Sequence, residues 1–230
     1  CYPLTMTDNA TRMILAIHAL EATHTGPVKA VMEKVFAEHG LPDWIRSDNG
    51  APFASGGVMG LSKLSVWWLS LGVGHERIQP GHPEQNGRHE RMHLTLKQET
   101  TRPAAATHGG QQERFDKFRK YFNEERPHEA IGMQTPASVH VLSERPYRAS
   151  DTWDYANFDE VRAVKCDGTI KFQGRNIYVS SALAGYEVGL VELEEAVWLV
   201  GFCDLRLGLF EQGDTKVSML DDRDRKLEGE

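Results

Sequence analysis

The stretch Trp44-Ile45-Arg46-Ser47-Asp48-Asn49-Gly50-Ala51-Pro52-Phe53 decides how the chain is read. Pro42 bars a helix just before it, and Trp44–Ser47 has the composition of a short strand. Asp48-Asn49-Gly50 then gives the turn residues that end a strand. Upstream, Gly26-Pro27 opens a segment in which Val28, Val31, Met32, Val35 and Phe36 recur at one helical face, and Gly40 closes it. Earlier still, Tyr2–Thr7 and Arg12–His18 read as strands around the turn residues Thr7-Asp8-Asn9-Ala10. Strand, helix and strand in succession predict that Trp44–Ser47 runs parallel to an earlier strand, the mark of an α/β sheet flanked by helices.

Further along, Leu61, Leu64, Trp68 and Leu69 mark a second amphipathic helix, with Trp67 and Trp68 read as packing residues. Glu76-Arg77-Ile78 is a short extended segment, followed by the polar loop Gln79–Gly87. Arg88 to about Thr100 is a third helix. Gln111–Asn123 is a fourth, carrying Phe115, Phe118 and Phe122. Pro, Arg, Tyr and Asp crowd Ser143–Phe158, a linker. Beyond it the period changes to two: Val161–Lys165, Thr169–Phe172, Asn176–Val179, Val188–Glu192, Val197–Phe202 and Leu205–Phe210 are short strands, with Asp167-Gly168 as a hairpin signal. The predicted ranges are an α/β domain over 1–142, a linker over 143–159, a small all-β, barrel-like domain over 160–213 and a charged, disordered tail over 214–230.

The 230 residues hold 26 Lys and Arg against 33 Asp and Glu, a net charge of −7. Residues 1–140 are balanced and hold all ten histidines, so the whole excess lies in 141–230. That balance argues mildly against nucleic acid as a partner, and against a broad DNA surface on the β-rich end. Any such contact must rest on a local basic patch. Cys1, Cys166 and Cys203 are scattered and odd in number, which fits reduced thiols in a cytoplasmic protein. No stretch approaches the ~18 apolar residues of a membrane-spanning helix. The chain opens on Cys1 and runs directly into an apolar segment without a signal-peptide pattern, so it reads as a piece of a longer chain cut in or just before a strand.

Two carboxylates stand out. Asp48 closes a strand where ligands collect in open α/β sheets. Glu90 starts a helix after a loop rich in Gly, Pro and Gln. A carboxylate from each could converge on Mg²⁺, which takes oxygen ligands and leaves positions for water and phosphate. Asn86, His93, Leu94 and Lys97 lie three, four or seven positions from Glu90, toward one face, and Arg88 and Arg91 flank it. A helix N-terminus adds its own attraction for phosphate. Each residue has a plainer reading: a turn for Asp48, a solvated helix start for Glu90, an exposed charged face for the arginines and Lys97, a turn for Asp8. His89-Glu90-Arg91-Met92-His93 is also a literal H-E-x-x-H, the zinc clip of a metalloprotease, with His89 and His93 as ligands and Glu90 as base. No third ligand follows at the usual spacing; Glu113 is a distant candidate.

Taken together, Ile45–Phe53, Gln79–His93 and Tyr121–Ala137 resemble the integrase core of bacterial insertion-sequence transposases, relatives of retroviral integrases. The resemblance covers about residues 1–140 and extends loosely into the β-rich end. It implies an RNase H-like mixed sheet and two aspartates and a glutamate binding two Mg²⁺ or Mn²⁺ ions. Asp48 matches the second aspartate and Glu90 the glutamate. The first belongs on a strand preceding Tyr2–Thr7, so it would lie upstream of Cys1; Asp8 sits at the far side of the hairpin. The implied activity is strand cleavage and strand transfer on DNA by a homo-oligomer. This chain by itself, lacking one carboxylate, would be inactive or a DNA-binding fragment.

Overall fold

In the computed structural model the described residues are 1–55, 58–79, 87–148 and 155–220. They divide into two compact units, one of residues 1–52 and 75–148, the other of 53–74 and 149–230. The chain mixes helices and sheets, as the α/β reading requires.

The first unit is built on an antiparallel hairpin, β1 (Tyr2–Thr7) and β2 (Ile14–Leu20), with Thr5 opposite Ile17. Asp8 sets the turn by accepting from the Ala10 and Thr11 amides, the local bond that favours Asp there. Helix α1 (Thr25–His39) buries Val28, Val31, Met32, Val35 and Phe36, the stripe read from the sequence. Gly40 ends it at φ 80°, where a Cβ would lie 2.8 Å from Ser143 Cβ and 2.9 Å from the Arg145 carbonyl oxygen. Only glycine admits the returning segment that close. That segment is tied by Leu41 N–H to Arg145 O (2.7 Å) and by Ser143 N–H to His39 O (2.9 Å).

Helices α3 (Gly87–Thr100) and α4 (His108–Glu124) follow in the same unit. Met92 and Leu96 share a core with Phe115, Phe118 and Phe122 and with Ile14, Ile17 and Ala19 of β2. Helix α4 also covers the edge of β2. Asn123 accepts from Ile14 N–H and donates to Ile14 O, both at 2.9 Å. Gln112 accepts from Ala19 N–H (2.8 Å) and donates to Ile17 O (2.9 Å). Arg119 donates to Leu15 O. Side-chain amides thus replace a neighbouring strand, which satisfies edge groups that would otherwise be orphaned. A short helix, α5 (Pro136–Val139), completes the unit and was not read from the sequence, since four residues show no period.

Strand β3 (Trp44–Ser47) pairs with β4 (Gly74–Arg77) rather than with the hairpin. The predicted parallel pairing of β3 with an earlier strand is absent among the described residues. A ladder requires backbones ~4.8 Å apart, and the described strands form separate sheets of two, two, two and four strands instead of one mixed sheet.

In the second unit α2 (Lys63–Ser70) begins with a capping box between Ser62 and Ser65 and buries Trp67 and Trp68. Leu61 and Val66 share a core with Val164, Ile170, Val188 and Phe202, which is why residues 53–74 group with the β-rich end. Strands β5 (Glu160–Ala163), β8 (Glu187–Glu194), β9 (Val197–Phe202) and β10 (Leu205–Glu211) form an antiparallel sheet in the order β10-β9-β8-β5. β6 (Thr169–Phe172) and β7 (Arg175–Tyr178) form a separate hairpin. Gly189 and Gly201 face each other across β8 and β9. Phe158 lies over both: a Cβ on Gly189 would fall 2.2 Å from its ring, and one on Gly201 2.5 Å. The ring covers backbone that two side-chain-free positions leave bare. Within the predicted tail, residues 221–230 lie outside the described set, as do 149–154 of the predicted linker.

Two substitutions test this packing. Asn123→Ala removes both edge partners of Ile14 and should cost about 1–3 kcal/mol in urea unfolding. Gly189→Ala should lower the melting temperature, and Phe158→Ala in the same background should recover part of the loss by making room.

Candidate functional site

The candidate site lies in the first unit, on the turn after β3 and the first turns of α3. Asp48 is exposed, and its Oδ1 accepts from Gly50 N–H at 2.9 Å. Two further bonds hold that turn. Asn49 donates to Ile78 O (2.8 Å), and Ser47 Oγ donates to Asp48 O (2.9 Å) while lying 2.8 Å from His75 Nε2. Arg46 and Glu76 pair alongside at 2.9 Å. His75 is therefore a support of the Asp48 turn that the sequence did not reveal, because its contact with Ser47 exists only once β3 and β4 pair.

Helix α3 presents three faces. Met92, Leu96 and Thr100 point into the core. His89 and His93, one turn apart, point at β1: their Nε2 atoms lie 2.8 and 2.6 Å from Thr5 Oγ1, and His89 Nδ1 lies 3.3 Å from Thr7 Oγ1. Glu90, Arg91, Leu94 and Lys97 are exposed. Arg88 is exposed too and reaches Asn9 Oδ1 at 3.2 Å. The structure thus separates residues that the spacing grouped. An offset of three positions leaves His93 about 60° around the helix from Glu90, and that difference turns His93 toward the hairpin while Glu90 stays exposed. Asn86 lies outside the described residues.

Burial pushes the His89 imidazole down to about 4; His93 adds to the shift, while the negative charge of Asp48 opposes it. Asp48 is therefore within electrostatic reach of the residue next to Glu90. Burial, aided by Arg77, also pushes His75 down to about 4. His93 is lowered by burial as well. Asp8 belongs elsewhere. It lies 3.4 Å from His140 Nδ1, and His140 Nε2 lies 3.2 Å from His39 Nδ1. Burial alone would raise the Asp8 carboxyl, but hydrogen bonds from Thr11, Ala10 and His140 leave it below its usual value.

Among the described residues no three His, Cys, Asp or Glu side chains gather as a metal centre. The exposed carboxylates of Asp48 and Glu90 are the oxygen donors that Mg²⁺ or Mn²⁺ prefers. For the H-E-x-x-H reading, the two histidines do share a face, but their Nε2 atoms meet on the Thr5 hydroxyl and no third ligand joins them among the described residues.

Residues 71–136 match the family model of the integrase core domain. That segment contains Glu90 and Lys97; Asp48 precedes it. An insertion-element protein of Xanthomonas euvesicatoria is 27% identical over 135 residues, covering 58% of this chain and 37% of that protein. The Gag-Pol polyprotein of baboon endogenous virus is 30% identical over 101 residues, covering 44% of this chain and 6% of that protein. Two solved structures are also similar. The magnesium-bound HTLV-2 integrase catalytic core domain gives a TM-score of 0.46 at 13% identity, over 60% of this chain and 84% of that one. A simian T-cell lymphotropic virus intasome with a PP2A regulatory subunit gives 0.48 at 14%, over 94% of this chain and 72% of that one. The resemblance to integrase cores read from the three motifs is borne out by the family-model match and the insertion-element relative. The chain spans little more than a third of its insertion-element relative and a small fraction of the viral polyprotein.

The half-buried imidazoles of His75 and His89 give a pH prediction. An unfolded histidine titrates near 6.5, whereas folded His75 and His89 titrate near 4. Between those values the unfolded state binds more protons, so stability is full above pH 6.5 and is lost as pH falls toward 4. The melting temperature should drop across that window, and His89→Gln should flatten the drop. A curve of unchanged steepness in that variant would count against burial of a neutral His89.

Proposed function

We propose that this chain is part of a DNA transposase of the integrase type, which cleaves and joins DNA strands in a metal-dependent reaction. The observation that carries the reading is Asp48 held on the β3 turn within electrostatic reach of His89, beside Glu90, in a chain whose residues 71–136 match the integrase core. The finer fold reading, an RNase H-like sheet with a barrel-like C-terminal domain, goes with it. So do the predicted domain ranges.

Asp48 and Glu90 would hold Mg²⁺ or Mn²⁺, as a pair of ions if a further carboxylate joins them. Bound there, the metal would stabilise charge on the attacking and leaving oxygens of an in-line phosphoryl transfer. The protein's own groups bind and orient. Arg91 and Lys97 stand exposed on the Glu90 side of α3 and suit phosphate oxygens, a contact that positions DNA without reading its sequence. Arg88, held toward Asn9, would meet the backbone near the hairpin turn. His93 is turned inward, so in this arrangement it fixes the roll of α3 against β1 rather than reaching phosphate. A hydroxyl, first of water and then of a DNA 3′ end, attacks a phosphodiester phosphorus and displaces the bridging oxygen. Joining two DNA ends would require more than one copy on the DNA. The scattered, unpaired cysteines suit a cytoplasmic setting.

In the natural protein, Asp48→Asn or Glu90→Gln should abolish strand transfer from a labelled element end while leaving DNA binding within about twofold. Retained joining in either variant would remove that residue from the site. Lys97→Ala should weaken binding to unrelated sequences alike and lower the slope of log affinity against log salt by about 0.9. A loss confined to one sequence would show that Lys97 reads bases.

A further inference from the structure

Two histidines from distant parts of the chain meet in the first unit. His39 is the last residue of α1, and His140 caps the end of α5. His39 Nδ1 lies 3.2 Å from His140 Nε2, with the rings edge to face at 72°. The outer nitrogen of each ring faces a carboxylate. His140 Nδ1 lies 3.4 Å from Asp8 Oδ2, and His39 Nε2 lies 3.8 Å from Glu38 Oε1. Asp8 is itself fixed by the Ala10 and Thr11 amides and by the Thr11 hydroxyl. A line therefore runs from Asp8 through His140 and His39 to Glu38.

That line has more gaps than protons. A neutral imidazole carries one N–H, so two rings bring two N–H groups to three gaps. If both point outward to the carboxylates, two bare nitrogens face each other across the middle gap. If one points inward, a bare nitrogen is left opposite a carboxylate. A cation in the middle gap removes the mismatch. An added proton is one candidate, but burial, helped by His140 and Arg119, lowers the His39 imidazole from its ordinary value against the pull of Glu38. Arg119 is no competitor for the gap, since it is engaged with the Leu15 carbonyl.

A divalent metal fits the gap by distance. Zn²⁺ holds imidazole nitrogen at ~2.0–2.1 Å, and at a tetrahedral angle two such nitrogens stand about 3.3 Å apart. The right angle of a square-planar or octahedral centre would bring them to about 2.9 Å. The observed 3.2 Å is nearer the tetrahedral value. Outer carboxylates are also the partners that metal-bound histidines use to fix their tautomer and raise their basicity.

We propose that His39 and His140 form a two-histidine zinc site, with Asp8 and Glu38 as its outer carboxylates. No third His, Cys, Asp or Glu joins the pair among the described residues, so water completes the shell. The two side chains keep 10% and 12% of their surface exposed, enough for water to reach them. With two protein ligands the site binds more weakly than a closed four-ligand centre. It ties the end of α1 to the β1–β2 turn and to the segment after α5, where Ser143 N–H already bonds His39 O. An ion held only by the folded chain stabilises that chain as its concentration rises. The site uses neither Asp48 nor Glu90, and it stands whether or not the chain handles DNA.

The test uses the full chain in excess Mg²⁺, which competes for exposed carboxylates, with zinc chloride as the probe. Bound zinc is read by competition with a chromophoric chelator, and melting is followed with and without zinc. The parent should bind zinc and melt a few degrees higher with it. His39→Gln and His140→Gln retain a hydrogen-bonding side chain. Each, once circular dichroism shows it folded, should hold one zinc ion fewer per chain and lose the rise in melting temperature. Asp8→Asn keeps the turn acceptor but not the charge, and should weaken zinc binding about tenfold or more. His89→Gln/His93→Gln should keep the zinc. A parent that binds no zinc, or parent-like binding in both glutamine variants, would overturn the proposal. So would loss of the ion from the His89/His93 variant instead, which would place zinc on the H-E-x-x-H pair. If the glutamine variants do not fold, Asp8→Asn decides alone, and parent-like affinity there counts as refutation.

Discussion

A two-stranded hairpin cannot stand alone in water: it leaves one apolar face and two backbone edges to be satisfied. The first unit is arranged around that constraint. The α3–α4 pair supplies Met92, Leu96 and three phenylalanines to the face of β2. Asn123 and Gln112 of α4 supply amides to its edge. Once α4 is held by those bonds and α3 packs on it, the roll of α3 is set by the core on one side and by Thr5 between His89 and His93 on the other. Glu90 and Lys97 are then left on the exposed side of the helix. The exposure of the candidate catalytic carboxylate follows from how a hairpin is covered.

The Asp48 turn shows the same dependence at shorter range. The Asx bond to Gly50 is local and would form in a peptide. Its placement is not local, since Asn49 must reach Ile78 and Ser47 must meet His75 from the neighbouring strand. Neutral, half-buried His75 is thus a structural element of the turn, and its depressed pKa is the electrostatic trace of that partial burial. The second unit shows how a mean charge can mislead. The acidic total is unevenly spread, since hairpin alternation and one bridging strand segment place Lys171 and Lys216 on one outward face, with Lys165 bonded to Asn176 beside them.

The sequence by itself determined most elements, because each is written in local chemistry. The stripe Val28–Phe36, the phenylalanines of α4, the Asp167-Gly168 turn and the period-two strands appeared within a residue or two of where they were read. It also placed Asp48 at a strand end and Glu90 at a helix start. Tertiary structure alone decided what those elements touch: that β3 pairs with β4, that 53–74 joins the β-rich core, that His93 turns to Thr5 and away from Glu90, and that Asp8 engages His140. Backbone preference and side-chain period act over a few residues, whereas pairing partners and helix roll are settled by contacts between residues up to 132 positions apart, on which no local pattern leaves a mark.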